Sequence, residues 1–224
     1  MTALLNWTPP PRPERVVLEG RFARLEPLDP ARHGADLFAA HAGESERHRY
    51  LFEDAPGDEA AFRTLLEEKA ALADPLWFAV IDRRTGRAEG RQTLMRIDAD
   101  HGTIETGNIF WGPAIARSAV TTEAFLLHAL HVFALGYRRY EWKCNALNGP
   151  SRRAAQRFGL RYEGTFRNHM VVKGQNRDTA WFAMTDGDWA REASVFAAWL
   201  DGVGRDGQQS ERLEDVRERM RGET

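Results

Sequence analysis

Seven histidines (His33, His41, His48, His101, His128, His131 and His169) and a single cysteine, Cys144, are the side chains best suited to metal binding or nucleophilic attack near neutral pH. Their spacing argues against both roles. His128 and His131 lie three apart on a predicted helix with no His-Glu-x-x-His pattern around them, which reads as part of an amphipathic face. His169 falls in a predicted hairpin and is the histidine of most interest for substrate contact. Cys144 sits in a short strand with no histidine paired to it, the usual setting of a small buried hydrophobe. There is no Cys-x-x-Cys motif, so no metal is expected. Among the carboxylates, Glu123 falls in the first turn of a predicted helix, where the helix dipole stabilises negative charge whatever the protein does. It reads as structural. Glu105 stands on a predicted strand. Asn148 precedes a predicted helix that it can cap, with Ser151 in the first turn.

These residues need elements to position them. Residues 8–14 are proline-rich and should run extended. Strand patterns follow at 22–27, 76–81, 90–97 and 103–111, with the turn chemistry of Asp82-Arg-Arg-Thr-Gly86 between the second and third. Helical spacing of apolar residues marks 30–42, 58–73 and 121–135, with Pro30 and Asp58 at helix starts and Gly136 at an end. A strand at 140–144, a helix at 150–158 closed by Gly159, a hairpin of 162–172 with 179–184, and a helix at 189–200 complete the order. The expected fold class is mixed α/β (α+β), with about six to seven strands flanked by helices. The expected organisation is an N-terminal lead-in over 1–15, one domain over 16–202, and a charged tail over 203–224, helical near 212–220 or mobile.

Composition narrows the function. The 224 residues carry a formal net charge of −2 with both signs interspersed. That leaves no basic field for nucleic acid and no polybasic helix for a membrane surface. No apolar run is long enough to span a bilayer, and the first residues lack the basic and apolar regions of a signal peptide. One cysteine and no disulfide fit a reducing cytoplasm.

Four segments together resemble the GNAT acetyltransferase superfamily, in particular the branch of ribosomal-protein N-terminal acetyltransferases, over roughly 17–189. They are Ile104-Glu105-Thr-Gly107-Asn-Ile-Phe-Trp111-Gly-Pro113; Arg117-Ser-Ala-Val-Thr-Thr122-Glu123-Ala124; Asn145-Ala-Leu-Asn148-Gly-Pro-Ser151, followed by Phe158-Gly159; and Arg161–Met170 with Asp178–Phe182. The resemblance implies a GNAT fold in which two central strands splay to form an acetyl-CoA cleft. The first segment is similar to the family's bulged central strand, whose backbone bonds the pantetheine arm. That implies Phe110 and Trp111 here, since a bulge leaves backbone groups free to pair with an amide-bearing ligand. The second is similar to the pyrophosphate loop at a helix N-terminus, which implies Arg117, Ser118, Ala119, Val120, Thr121 and Thr122. Side chains stand where the family usually has glycines. The third implies Asn148 at the cofactor and Ser151 near the thioester sulfur.

By the same resemblance, the implied activity is transfer of the acetyl group of acetyl-CoA, a co-substrate, to a primary amine: a protein N-terminus, an amino acid or a small amine. Glu105 is the implied base and Ser151 the implied proton donor to the leaving thiolate. Homodimers are common in that branch, and the closing strands or the terminal helix are the surfaces to consider. Two other readings stay open: a non-catalytic acyl-CoA-binding or recognition module, and a transferase of a different acyl group.

Overall fold

The computed structural model describes residues 7–222. Residues 1–6 of the expected lead-in and 223–224 of the expected tail lie outside the described residues. In chain order the elements are β1 (Leu18–Glu19), β2 (Ala23–Pro27), α1 (Pro30–His41), α2 (Ser45–His48), α3 (Glu59–Ala71), β3 (Leu76–Asp82), β4 (Arg87–Asp98), β5 (Thr103–Trp111), α4 (Ala119–Ala134), β6 (Arg139–Asn145), α5 (Gly149–Arg157), β7 (Arg161–Val172), β8 (Gln175–Thr185), α6 (Asp186–Asp201) and α7 (Leu213–Gly222). Among the described residues the strands form one eight-stranded sheet, in the order β1-β2-β3-β4-β5-β6-β8-β7. Every neighbouring pair is antiparallel except β5–β6, which is parallel. The sheet holds one strand more than the sequence pattern predicts. The addition is β1, two residues long and too short to show alternation.

Alternation along β3 sets the layers. Leu76, Phe78 and Val80 join a core with α4, α6 and α7, whereas Trp77, Ala79 and Ile81 join a second core with α1 and α3. Both faces of β3 are therefore covered. Helix starts are fixed as the residue types predict. Asp29 accepts from Ala31 and Arg32, Asp58 from Ala61, and Asn148 from Ser151. The segment after α6 does not stand apart from the domain. Leu213 and Val216 of α7 are buried in the main core, Trp199 Nε1 donates to Glu211 O at 2.9 Å, and Arg217 pairs with Glu192 at 2.9 Å.

Glu123 is structural, but not through the helix dipole: α4 begins at Ala119, two residues earlier than its apolar spacing predicts, which puts Glu123 beyond the first turn. Its carboxylate accepts from the backbone N–H groups of Arg21 (2.8 Å), Phe22 (2.6 Å) and Ala23 (2.6 Å), tying the β1–β2 turn to α4. Gly20 makes room for it: a Cβ there would stand 2.3 Å from the carboxyl carbon.

Candidate active site

The parallel pairing of β5 and β6 runs over Thr103–Thr106 against Arg139–Trp142 and no farther among the described residues. Beyond it, Gly107–Trp111 and Lys143–Asn145 diverge and leave a split in the middle of the sheet. The cause lies in β5. Between the pairs Thr93–Gly107 and Arg91–Phe110, β5 spends one residue more than β4. Asn108 takes the left-handed conformation there, at φ 49°. A bulge of this kind bends the strand and frees backbone groups from the ladder. Close packing accompanies it, because a Cβ on Gly107 would lie 2.5 Å from Met95 Sδ. Past the bulge, Phe110 stacks on His41 at 3.5 Å on one face. Trp111 turns to the other face, edge-on to Trp142 at 6.3 Å, and its indole N–H donates to Gln92 Oε1 at 3.2 Å.

The turn after β5 leads into the N-terminus of α4. Arg117 has φ 60°, so this arginine itself adopts the conformation for which glycine is usually chosen. Ser118 caps the helix: its Oγ accepts from Val120 N at 3.2 Å and donates to Ile115 O at 2.6 Å. Ala119 is the first helical residue, and Thr121 and Thr122 both donate their hydroxyls to Ser118 O, at 3.1 and 3.3 Å. The missing glycines therefore do not prevent a helix from starting here with its positive end toward the loop, although Val120 N is taken by Ser118 Oγ and Thr122 N by Ser118 O at 3.4 Å. Thr122 Oγ1 also accepts from Arg157 of α5 at 3.0 Å.

At the end of β6, Asn148 Oδ1 accepts from Ser151 N at 3.1 Å, so its side-chain oxygen is engaged as a helix cap. Ser151 Oγ accepts the indole N–H of Trp142 at 3.0 Å. The thiol of Cys144 is hydrogen-bonded to the same hydroxyl, and burial pushes its pKa up. Cys144 is buried in the main core, as its sequence setting predicts.

Glu105 lies on the opposite face of the sheet. Ile104 packs into the core with α4, so its neighbour on β5 points away from α4. Glu105 is 5% exposed. Lys143 Nζ stands 2.9 Å from its Oε2, 2.9 Å from Glu141 Oε2, and 3.7 Å above the ring of Trp181. Arg96 Nε is 3.5 Å away. Burial raises the pKa of Glu105 above the ordinary carboxylate value, and Lys143 and Arg96 oppose the shift without cancelling it. The same face carries Phe166 against Trp181 at 4.7 Å, and His169, whose Nδ1 is 2.9 Å from Thr179 Oγ1.

A buried polar chain supports the bulge from below. Arg91 is fully buried, donates from Nε to His41 Nε2 at 3.3 Å, and pairs through Nη2 with Glu53. His41 Nδ1 lies 2.9 Å from His48 Nε2, and His48 Nδ1 lies 3.4 Å from Glu53 O. With His41 protonated on Nδ1 and His48 also on Nδ1, every ring nitrogen in the chain has a partner while both rings stay neutral. Burial lowers both pKa values, and Arg91 lowers them further. The tip of the β7–β8 hairpin closes over this region: Lys173 Nζ donates to His48 O and Glu53 O at 3.1 Å each and pairs with Asp54 at 2.7 Å.

The residues singled out from the sequence thus gather around one split as separate groups: Asn148 bonds Ser151 and Ser118 bonds Val120, Thr121 and Thr122, while Glu105 touches none of them. Phe110 and Trp111 line its β5 edge, 117–122 form its far end, Asn148 and Ser151 border its β6 edge on the α4 face, and Glu105 lies on the other face. Sequence reasoning passed over Asn108, Lys143, Arg96 and Arg177. A short charged residue pattern on β6, Arg139-Tyr-Glu141-Trp-Lys143, was the available signal for Lys143, since alternation places its charges on the side away from α4. Among the described residues no cluster of His, Cys, Asp or Glu side chains is arranged to hold a metal ion. No described helix is long and apolar enough to cross a membrane.

This architecture defines a known class. The family model for the acetyltransferase (GNAT) domain matches residues 23–161. A crystal structure of a GCN5-related N-acetyltransferase from Brucella melitensis is 51% identical, with TM-score 0.93 over 96% of this chain and 100% of that one. A GNAT-family probable acetyltransferase from Chromobacterium violaceum is 38% identical, with TM-score 0.80 over 85% of this chain and 96% of that one. The fold alone is shared with the Salmonella typhimurium acetyltransferase described as modifying the N-terminal serine of ribosomal protein L7/L12, at 14% identity and TM-score 0.67 over 76% of this chain and 99% of that one. No curated protein matches the chain in sequence. The chain belongs to the GNAT acetyltransferase family.

Proposed function

We propose that this protein is an N-acetyltransferase that moves the acetyl group of acetyl-CoA directly to a primary amine. The observation that carries the reading is the β5–β6 split, with the Asn108 bulge on one edge and the N-terminus of α4 at its end. Acetyl-CoA supplies an acyl group activated as a thioester. The free backbone groups beside Phe110 and Trp111 are suited to pair with its amide-bearing arm. The positive end of α4 at Ala119–Thr122, with the charge of Arg117, suits its pyrophosphate. A pantetheine arm threaded along the split would bring the thioester between two faces of the sheet that carry different chemistry.

On the α4 face, Ser151 holds a hydroxyl that accepts from Trp142 and has the Cys144 sulfur as its other neighbour, so its proton would have to turn from Cys144 to a departing thiolate. On the other face, Glu105 is a buried carboxylate with a raised pKa, held by Lys143. An attacking amine must be neutral, and a carboxylate whose proton affinity is raised toward neutrality is a better acceptor of its proton, directly or through one water. The acceptor is therefore read as entering from the Trp181–Phe166 side. The test is thiol release from acetyl-CoA with a panel of amino acids, peptides and small amines, alongside calorimetry with CoA. Binding of CoA and amine-dependent thiol release are expected. Absence of binding at millimolar CoA would remove the transferase reading.

A further inference from the structure

Arg177 stands outside every interaction described so far. It lies on β8 two residues before Thr179, where pairing with β6 begins, is 7% exposed, and its Nε is buried with no hydrogen-bond partner. Its side chain has the ring of Phe52 5.1 Å from the guanidinium carbon and feels the charge of Glu105 without an ion pair to it. On β8 Arg177 shares the face of Thr179 and Trp181, the face of Lys143 and Glu105, and it lies just beyond the last β6–β8 pair, Asn145–Thr179, so its side chain belongs at the open end of the split. Other buried cations among the described residues are neutralised or bonded: Arg91 pairs with Glu53, Lys143 with Glu105 and Glu141, Arg217 with Glu192, and Arg157, which has no ion pair, donates to Thr122 Oγ1. Burying an arginine without such a partner is costly. Its planar fork of donors matches a carboxylate.

We infer that Arg177 binds a carboxylate of the acceptor, and that the acceptor class is a small amino acid with a free carboxylate. This rests on the transferase reading and adds the acceptor class to it. The position favours the acceptor over the coenzyme: Arg177 lies on the Glu105–Trp181 side, away from the first turn of α4. The compactness of the acceptor follows from the roof of the site, where Lys173 anchors the hairpin tip to His48, Glu53 and Asp54. A molecule beneath that roof must reach Arg177 with its acid and Glu105 with its amine. Phe52, Phe166 and Trp181 are the ring surfaces available to its side chain, which favours apolar or aromatic amino acids.

The test compares L-phenylalanine, L-tryptophan and L-methionine, each with its own amide and decarboxylated amine, as acceptors for the wild-type protein. The acids are expected to exceed the amides and amines at least tenfold in kcat/KM. In Arg177→Gln that ratio is expected to collapse toward one, with the loss appearing in KM, and Arg177→Lys should recover part of it. Calorimetry of acid against amide on the CoA-bound protein gives the same comparison without turnover, so it decides the assignment even if acetyl transfer fails. Equal or better use of the amides by the wild-type protein overturns the inference, and needs no variant to fold. So does an Arg177→Gln protein that keeps the acid preference, or one whose change lies in choosing between acetyl-CoA and succinyl-CoA.

Discussion

Trp142 donates its indole N–H to Ser151 Oγ at 3.0 Å, from a ring that is itself buried against Phe125 and Phe158. A serine hydroxyl is a weak acid and rotates freely unless something fixes it. Here the fixed donor occupies a lone pair, so the hydroxyl hydrogen must point elsewhere. If Ser151 serves the leaving thiolate, Trp142 acts through it. Trp142→Phe removes the N–H and keeps an aromatic ring in the core, at the cost of some packing volume. We expect kcat to fall about tenfold, the scale of losses when an orienting partner is removed. The decisive measurement is a double-mutant cycle: Trp142→Phe should add little to Ser151→Ala. Full additivity of the two losses would separate them.

Glu105 and Lys143 make a second coupled pair. The carboxylate acts as a base only when deprotonated, and burial has raised its pKa above the ordinary value. Activity should therefore fall as pH drops through a point higher than a solvent-exposed glutamate would give. Lys143→Met removes the largest opposing influence, so the acid limb of the kcat/KM profile should move to still higher pH. Glu105→Gln should abolish that limb and lower kcat by about 100-fold. A profile that keeps its limb in Glu105→Gln assigns the titration to another group.

The Arg117 turn separates backbone geometry from charge. At φ 60° a glycine relieves steric strain but adds flexibility to the unfolded chain, two effects of similar size. Arg117→Gly is expected to leave unfolding free energy within about 0.5 kcal/mol of wild type. Its affinity for CoA, measured by calorimetry, should nevertheless drop several-fold as a positive charge is lost. A variant that is markedly less stable would mean that Arg117 holds the loop by contacts beyond its backbone.

These residues also show what a sequence discloses. Asn148 as a cap, the Asp82–Gly86 turn and the Gly136 helix stop were legible because each depends on chemistry within a few positions. The split strand was legible through the resemblance of the Glu105–Trp111 segment. The same resemblance implied a bulge, but not its place at Asn108, which is set by the register against β4. Glu123 was recognised as structural for its place in a helix, but its amide partners at Arg21–Ala23 lie a hundred positions away in the chain. The left-handed turn was hidden because Arg117 stands where a glycine would have announced it. Helix α2 escaped because four residues show no periodicity. Arg177 gave no signal at all: a lone arginine on a hairpin is ordinary until the fold buries it without a partner.

The buried histidines make stability depend on pH with a defined sign. His128 lies wholly in the core, edge-on to Phe78, and its Nδ1 is 3.1 Å from Gln92 Nε2. Gln92 must donate there, since its oxygen accepts from Trp111, so His128 is neutral with its proton on Nε2. Burial lowers its pKa to about 3. Above roughly pH 6.5 the residue is neutral folded or unfolded, and pH has no effect through it. Below that point the unfolded chain takes up a proton that the native core refuses until about pH 3. Stability is therefore present above 6.5 and lost as pH falls, by at most about 1.4 kcal/mol per pH unit for this side chain. His41 and His48 act in the same direction. Urea unfolding between pH 7.5 and 5 checks this, in a range where most carboxylates are still ionised. His128→Gln keeps an acceptor for Gln92 and cannot titrate, so it should be less stable than wild type at pH 7.5 yet lose less stability on acidification. Equal slopes for the two proteins would show that His128 is protonated in the folded state as readily as in the unfolded one.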